Sequence, residues 1–204
     1  MGVAVIDSGG ANIGSVLQAL GRLGVEASLT QEKADIERAG HVILPGVGTA
    51  HAAMASLKKA QLVSVIQSLT QPVLGICLGL QLLFESSAEN DLEGPGHPTD
   101  CLGIISGHIQ RLSDPEHVRL PHMGWNQLHW TTADPVAKDS NPDDWFYFVH
   151  SYALPGHHPS AIATSHHGET FAAVVRDRNF VACQFHPEKS ADAGARLLKG
   201  FLSS

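Results

Sequence analysis

The apolar positions of the first half of the chain follow two alternating patterns. Short apolar runs of strand length occupy residues 3–7, 25–29, 41–44 and 72–77. Between them, apolar residues recur every three or four positions, the period of a helix packed on one face. Val16, Leu17, Leu20 and Leu23 form the first such stripe, which Asn12 is placed to cap and Gly24 to close. A short helix is predicted over 34–39 and helical segments over about 51–69. Another helix is predicted where Leu78, Leu82, Leu83 and Phe84 take up helical spacing. This βαβαβαβα order predicts an α/β fold with a mostly parallel central sheet flanked by helices. Ligands of such sheets bind outside the carboxyl ends of the strands, which puts Asp7, Pro45 to Gly48 and Cys77 along one rim.

The pattern then changes. Residues 85–98 are polar and rich in glycine and proline, and read as a surface loop. Beyond them come short strand-like runs at 102–106, 127–131, 145–152, 161–164, 171–176 and 180–185. Asp177, Arg178 and Asn179 read as the turn joining the last two. A final helix over 192–202 places Ala195, Leu198 and Leu202 on one side. These runs predict an additional antiparallel region in the C-terminal half. There is no repeat, low-complexity segment or clear linker, so one domain is expected over residues 1–204.

Composition narrows the class. A chain of 204 residues with 43% hydrophobic and 16% charged residues has enough material for one substantial core. The net charge of −7 disfavours a general nucleic-acid surface. The apolar runs fall short of membrane-spanning length and the chain opens on a strand, so a cytoplasmic location is expected. The three cysteines, Cys77, Cys101 and Cys183, are odd in number and lack CxxC spacing, which argues for a single functional thiol over a disulfide framework. The thirteen histidines include the pairs His157–His158 and His166–His167. Adjacent residues on a strand face opposite ways, so these pairs read as solvated loop histidines, and no metal or cofactor is expected.

Cys77 sits where an apolar strand meets a helix, with Gly75 and Gly79 two positions to either side. Strand, sharp turn and helix with the reactive residue at the turn is the nucleophile-elbow arrangement. A helix beginning after Cys77 would turn its free N–H groups toward the sulfur. A buried core cysteine is the competing reading. A cysteine nucleophile needs a base, an orienting group and oxyanion donors. His186 and Glu188, two apart across Pro187, share a face in extended chain and supply the first two. The backbone N–H groups of Val47 and Gly48, with that of Leu78, supply an oxyanion hole; a tight strand–helix turn is the plainer reading of that glycine-rich run.

These segments resemble the class I (triad) glutamine amidotransferases, through Gly75, Cys77, Gly79 and Gln81 together with His186, Pro187 and Glu188. Asp7 to Asn12, Leu44 to Gly48, Pro121 to Asn126, Phe148 to Tyr152 and Gln184 to Ser190 narrow the resemblance to the glutaminase subunits of imidazole glycerol phosphate synthases, over nearly the whole chain. The resemblance implies that Cys77 attacks the side-chain amide of glutamine, with His186 and Glu188 completing the triad. It implies glutamine binding by Gly46, Gly48, Gln81, His150, Ser151 and Tyr152. It implies a partner cyclase subunit with a (β/α)8 barrel, which uses the ammonia in histidine biosynthesis. Asn12, Pro121, Met123, Trp125, Asn126, Tyr147 and Lys189 would face that partner. Ser8 stands where the family usually has tyrosine, Gly10 and Ala11 vary its small-residue pair, and residues 180–183 lack its usual glycine. A glutaminase serving another synthase and a silent regulatory subunit are the alternatives; the complete triad argues against the second.

Overall fold

The structure is a computed structural model that describes residues 2–9, 13–89, 97–113 and 118–204. Strands β1 (Val3–Ile6), β2 (Ala27–Thr30), β3 (His41–Gly46) and β4 (Val73–Cys77) alternate with helices α1 (Ile13–Arg22), α2 (Lys33–Arg38), α3 (Ala50–Lys59), α4 (Val63–Ser68) and α5 (Leu78–Leu82). The predicted cap Asn12 lies outside the described residues. Short strands β5 (Ser86–Ser87) and β6 (Thr99–Asp100) follow, then β7 (His108–Arg111), β8 (His122–Gln127) and β9 (His129–Trp130). The chain ends with β10 (Trp145–His150), β11 (Tyr152–Ala153), β12 (Ala161–His167), β13 (Glu169–Asp177), β14 (Phe180–Cys183) and α6 (Ala191–Leu202).

The main sheet runs in the order β2-β1-β3-β4-β14-β13-β12-β9. The first five strands pair in parallel and the last three join antiparallel. Alternate residues of the central strands feed two cores, one on each face of the sheet. Ile43, Leu74 and Ile76 pack with α1 and α6 on one face. Val42, Leu44 and Val73 pack with Ile36 of α2, α3 and α4 on the other. This two-sided burial is why β3 and β4 read as continuous apolar runs. One pairing decides the function: β14, the last strand, lies parallel to β4, with Cys183 opposite Ile76. The segment from Gln184 to Glu188 therefore leaves the sheet beside Cys77.

Three sequence expectations fail locally. Residues 102–106 form no strand; the N–H groups of Leu102, Gly103, Ile104 and Ile105 instead cap the carbonyls of Leu82, Leu83 and Phe84 after α5. Within the expected loop over 85–98, Ser86 and Ser87 pair with β6 and β7. The strand expected over 127–131 is divided between β8 and β9, and β8 begins at His122. Gly124, at φ +139°, breaks the alternation that would have marked β8 in sequence. Among the described residues strand β8 pairs only with β10, as an antiparallel ribbon running from His150 opposite His122 to Trp145 opposite Gln127. The hairpin turn at Arg178, φ +50°, joins β13 and β14 as expected. Among the described residues no helix is long and apolar enough to cross a membrane.

Candidate active site

Cys77 is the last residue of β4 and the residue before α5, with φ +53° and ψ −108°. A β-carbon in this region is strained, at a cost of about 1–3 kcal/mol, and such strain persists only where surrounding structure enforces it. Gly79 shows what enforces it. A Cβ there would sit 1.8 Å from the carbonyl oxygen of Leu44, so the first turn of α5 lies directly on β3. Strand β3 continues through Pro45 and Gly46, with Gly46 opposite Cys77. Pro45 is tolerated because β1 last pairs with β3 at Ile43, leaving no ladder partner for a nitrogen at residue 45. Its carbonyl accepts a bond from the Ser8 hydroxyl at 3.0 Å. Ser8 is thus a buried anchor of the Pro45–Gly48 segment, which the sequence did not indicate. Gly48 follows at φ +92°, a conformation that suits glycine.

His186 and Glu188 meet as expected but by another route. Pro187–Lys189 is a turn of 3-10 helix, and this turn, not extended chain, brings Glu188 Oε1 to 2.8 Å from His186 Nδ1. Both side chains are 3% exposed. The carboxylate fixes the proton on Nδ1 and leaves Nε2 free for the sulfur. Burial pushes the imidazolium pKa down, but hydrogen bonding with the Cys77 sulfur and with Glu188 outweighs it and raises the value to about 10. The backbone of the segment is pinned to β10: His186 N–H donates to the Tyr147 carbonyl at 2.9 Å. The Ser190 hydroxyl donates to the His186 carbonyl and accepts from Tyr147 N–H.

A cavity of about 240 Å³ opens over Cys77, lined by Val47, Gly48, Leu78, Gln81, Val149, His150, Ser151, Tyr152, His186 and Glu89. Every oxyanion and glutamine residue expected from sequence lines it except Gly46, which lies in β3 against Leu78. Gln81 is 4% exposed and donates to the Tyr152 carbonyl at 3.0 Å and to Gln184 Oε1 at 3.2 Å. Sequence reasoning missed two members. Gln184 is fully buried and directs Nε2 at Cys77 Sγ, 3.8 Å away. Glu89 is the one carboxylate among the lining residues and accepts from Ala50 N–H at 2.9 Å. It sat inside a stretch whose polarity read only as a loop.

The residues expected to face a partner divide by strand face. Met123 and Trp125 are 63% and 50% exposed on one face of the ribbon, with Tyr147 directly across from Trp125 and their rings 5.9 Å apart. Lys189 Nζ lies 5.8 Å from the centre of the Tyr147 ring. Pro121 is exposed beside them. Trp145, also half exposed, belongs to the same face and was not singled out in sequence. Asn126 is on the opposite face, its amide bonded to the His166 carbonyl at 2.9 Å. Asn12 falls outside the described residues. The solvated-loop reading of the histidine pairs fails for three members. His158 bonds Ser160 and the Ser106 carbonyl, and His166 and His167 lie in β12, with His167 bonded to the Arg119 carbonyl. Cys183 is core, as expected. Cys101 has its thiol pushed up to about 12, first by burial and then by Asp100.

A cysteine at a strained strand–helix junction, a carboxylate-oriented histidine and glycine-rich backbone beside both suit acyl transfer through a thioester. The chain belongs to the class-I glutamine amidotransferases, matching that family over residues 4–203. Within it, the chain is 48% identical over 201 residues to imidazole glycerol phosphate synthase subunit HisH 2 of Legionella pneumophila strain Lens, covering 98% of this chain and 97% of that protein. It is 46% identical over 200 residues to subunit HisH of Xylella fastidiosa strain Temecula1, covering 98% and 96%. Its fold is similar to a solved structure of PurLQS from Thermotoga maritima, with TM-score 0.73 at 16% identity, covering 98% of this chain and 97% of that one.

Proposed function

We propose that this chain is the glutaminase subunit of an imidazole glycerol phosphate synthase. The Cys77 thiol passes its proton to His186 Nε2 as Sγ attacks the side-chain amide carbon of glutamine, and the Val47, Gly48 and Leu78 N–H groups receive the oxyanion. His186 protonates the departing nitrogen, the C–N bond breaks, and ammonia leaves a glutamyl thioester. Water, deprotonated by His186, then cleaves the thioester to release glutamate and restore the thiol. Glu188 holds the imidazole in the working tautomer. Glu89 suits the cationic α-amino group of glutamine, and the Ser151–Tyr152 backbone with Gln81 borders the rest of the substrate. The observation that carries this reading is the junction of a strained Cys77 with the buried His186–Glu188 pair in one cavity.

Ammonia released into bulk water is protonated and loses its nucleophilicity, so it passes directly to a cyclase subunit with a (β/α)8 barrel. That subunit makes imidazole glycerol phosphate and aminoimidazole carboxamide ribotide, in the cytoplasm. Met123, Trp125, Tyr147, Lys189 and Pro121 form the docking face, an aromatic and apolar centre with a polar rim. Asn12 is assigned to the same docking region; Asn126, on the opposite face of the ribbon and bonded to the His166 carbonyl, is left out of it. The test is Cys77→Ala in the assembled synthase. Glutamine-dependent product formation should fall below detection while formation from ammonium salts persists. A surviving glutamine route would remove Cys77 from the role.

A further inference from the structure

Two buried imidazoles border the site with no part in the chemistry above. His150 and His122 are cross-strand partners on β10 and β8, 6% and 4% exposed. His122 Nδ1 lies 3.1 Å from His150 Nε2. The bonds around them run in one direction only. The Tyr152 carbonyl can only accept, so His150 donates to it through Nδ1–H, at 3.0 Å. A neutral His150 then has Nε2 as acceptor, and His122 donates to it through its own Nδ1–H. That leaves His122 Nε2 to accept from Asn126 Nδ2 at 3.4 Å. The Asn126 amide orientation is set independently: Nδ2 donates to the His166 carbonyl and Oδ1 accepts from Gln127 N–H, each at 2.9 Å.

Both rings are held neutral. Burial, followed by the neighbouring His167, lowers His122 to about 4. Burial, followed by His122, lowers His150 to about 3. From the Tyr152 carbonyl the line continues through Gln81 and Gln184 to the Cys77 sulfur. Reversing the His150 tautomer would set a bare Nδ1 lone pair against the Tyr152 carbonyl oxygen and displace the backbone that borders the cavity.

We propose that His122 is a positioning residue for glutamine: by donating to His150 Nε2 it satisfies the acceptor that the Tyr152 carbonyl leaves on that ring, and together the two bonds hold the ring and the Ser151–Tyr152 backbone in place. The proposal rests on reading this cavity as the glutamine site. Packing alone does not explain an imidazole here. His122 is stacked between Phe148 and His167, with ring centres 4.9 Å and 4.1 Å away, a slot that a phenyl ring also suits. What phenyl lacks is the donor.

Two variants and one spectrum test this. Nitrogen-15 NMR of the isolated wild-type chain near neutral pH should show the His150 proton on Nδ1 and none on Nε2. In complex with the cyclase, His122→Phe should raise KM for glutamine about tenfold and change kcat less than about twofold, the loss expected when a buried acceptor goes unpaired. His122→Asn, whose amide nitrogen reaches the Nδ1 position, should recover KM to within about threefold of wild type. Synthesis from ammonium salts should not change in either variant. A His150 proton on Nε2 overturns the proposal. So does a folded His122→Phe with wild-type KM, or an equal KM increase in the Phe and Asn variants. The spectrum needs no turnover, so it decides the relay even if the complex fails to hydrolyse glutamine, a failure that counts against the proposed function instead.

Discussion

The elbow half and the ribbon half of this protein use buried histidine in opposite ways. At the elbow, His186 sits between a carboxylate and a sulfur, and its pKa is raised. In the ribbon, His122 and His150 hydrogen-bond to each other, a carbonyl and an amide, with no carboxylate or thiol among these partners, and burial lowers their pKa values. Burial penalises the charged ring in both places; a negative partner reverses the outcome in one of them. The elbow therefore holds a ring ready to exchange protons, whereas the ribbon holds rings that only point. Their packing differs in parallel. The elbow is locked backbone to backbone at Gly79 and Leu44. The ribbon is two strands thick, with a buried inner face and a half-exposed aromatic outer face.

The largest effect should come from the elbow. Glu188→Gln keeps the size of the side chain but removes the charge that sets the His186 tautomer. It should lower kcat for glutamine hydrolysis by about 10²- to 10⁴-fold, measured as glutamate release by the complex. Next is Glu89→Gln, which should raise KM for glutamine by about 10- to 100-fold with kcat nearly retained, the signature of a group that binds the substrate ammonium. An unchanged KM would remove Glu89 from the substrate site.

Cys77→Gly separates function from stability. It should end glutamine turnover, yet it relieves a side chain at φ +53° and should stabilise the fold by about 1 kcal/mol in urea unfolding. A destabilised variant would mean that the thiol's contacts outweigh the backbone strain.

Stability should also depend on pH, with opposite sign in the two halves. A raised folded pKa means that the stability due to His186 is complete below about 6.5, the unfolded value, and is lost as pH rises through about 10. For His122 and His150 the sign reverses. The unfolded chain takes up protons first, so stability falls as pH drops below about 6.5 towards about 4 and about 3. Urea midpoints of wild type and His122→Phe should diverge at neutral pH and converge on the acid side. Parallel curves would show that His122 is not held neutral.

Much of the elbow was legible in sequence because its causes are local. Glycines at 75 and 79 and a switch from strand to helical spacing mark the turn, and the βα order gives the rim. The His186–Glu188 pair was legible by spacing, though a 3-10 turn and not extended chain joins it. What escaped depends on pairing between distant segments. Strand β8 has no alternation of its own and takes its form from β10, so His122 became visible only through its cross-strand neighbour. Glu89 lay in a polar stretch with no period. Ser8 looked like a departure from the family's tyrosine and is a buried tie to Pro45. The half-exposed Trp145 gave no signal because an outward aromatic on a strand reads the same in sequence as an inward one.

If the elbow performs half a reaction whose product another chain consumes, glutamate release depends on that chain. It should be measured from this chain alone, with the cyclase, and with the cyclase and its phosphoribulosyl ligand. Slow release is expected alone and a large increase in the complete mixture, with glutamate and imidazole glycerol phosphate formed one for one. Equal release under all three conditions, with no complex on sizing, would contradict this dependence.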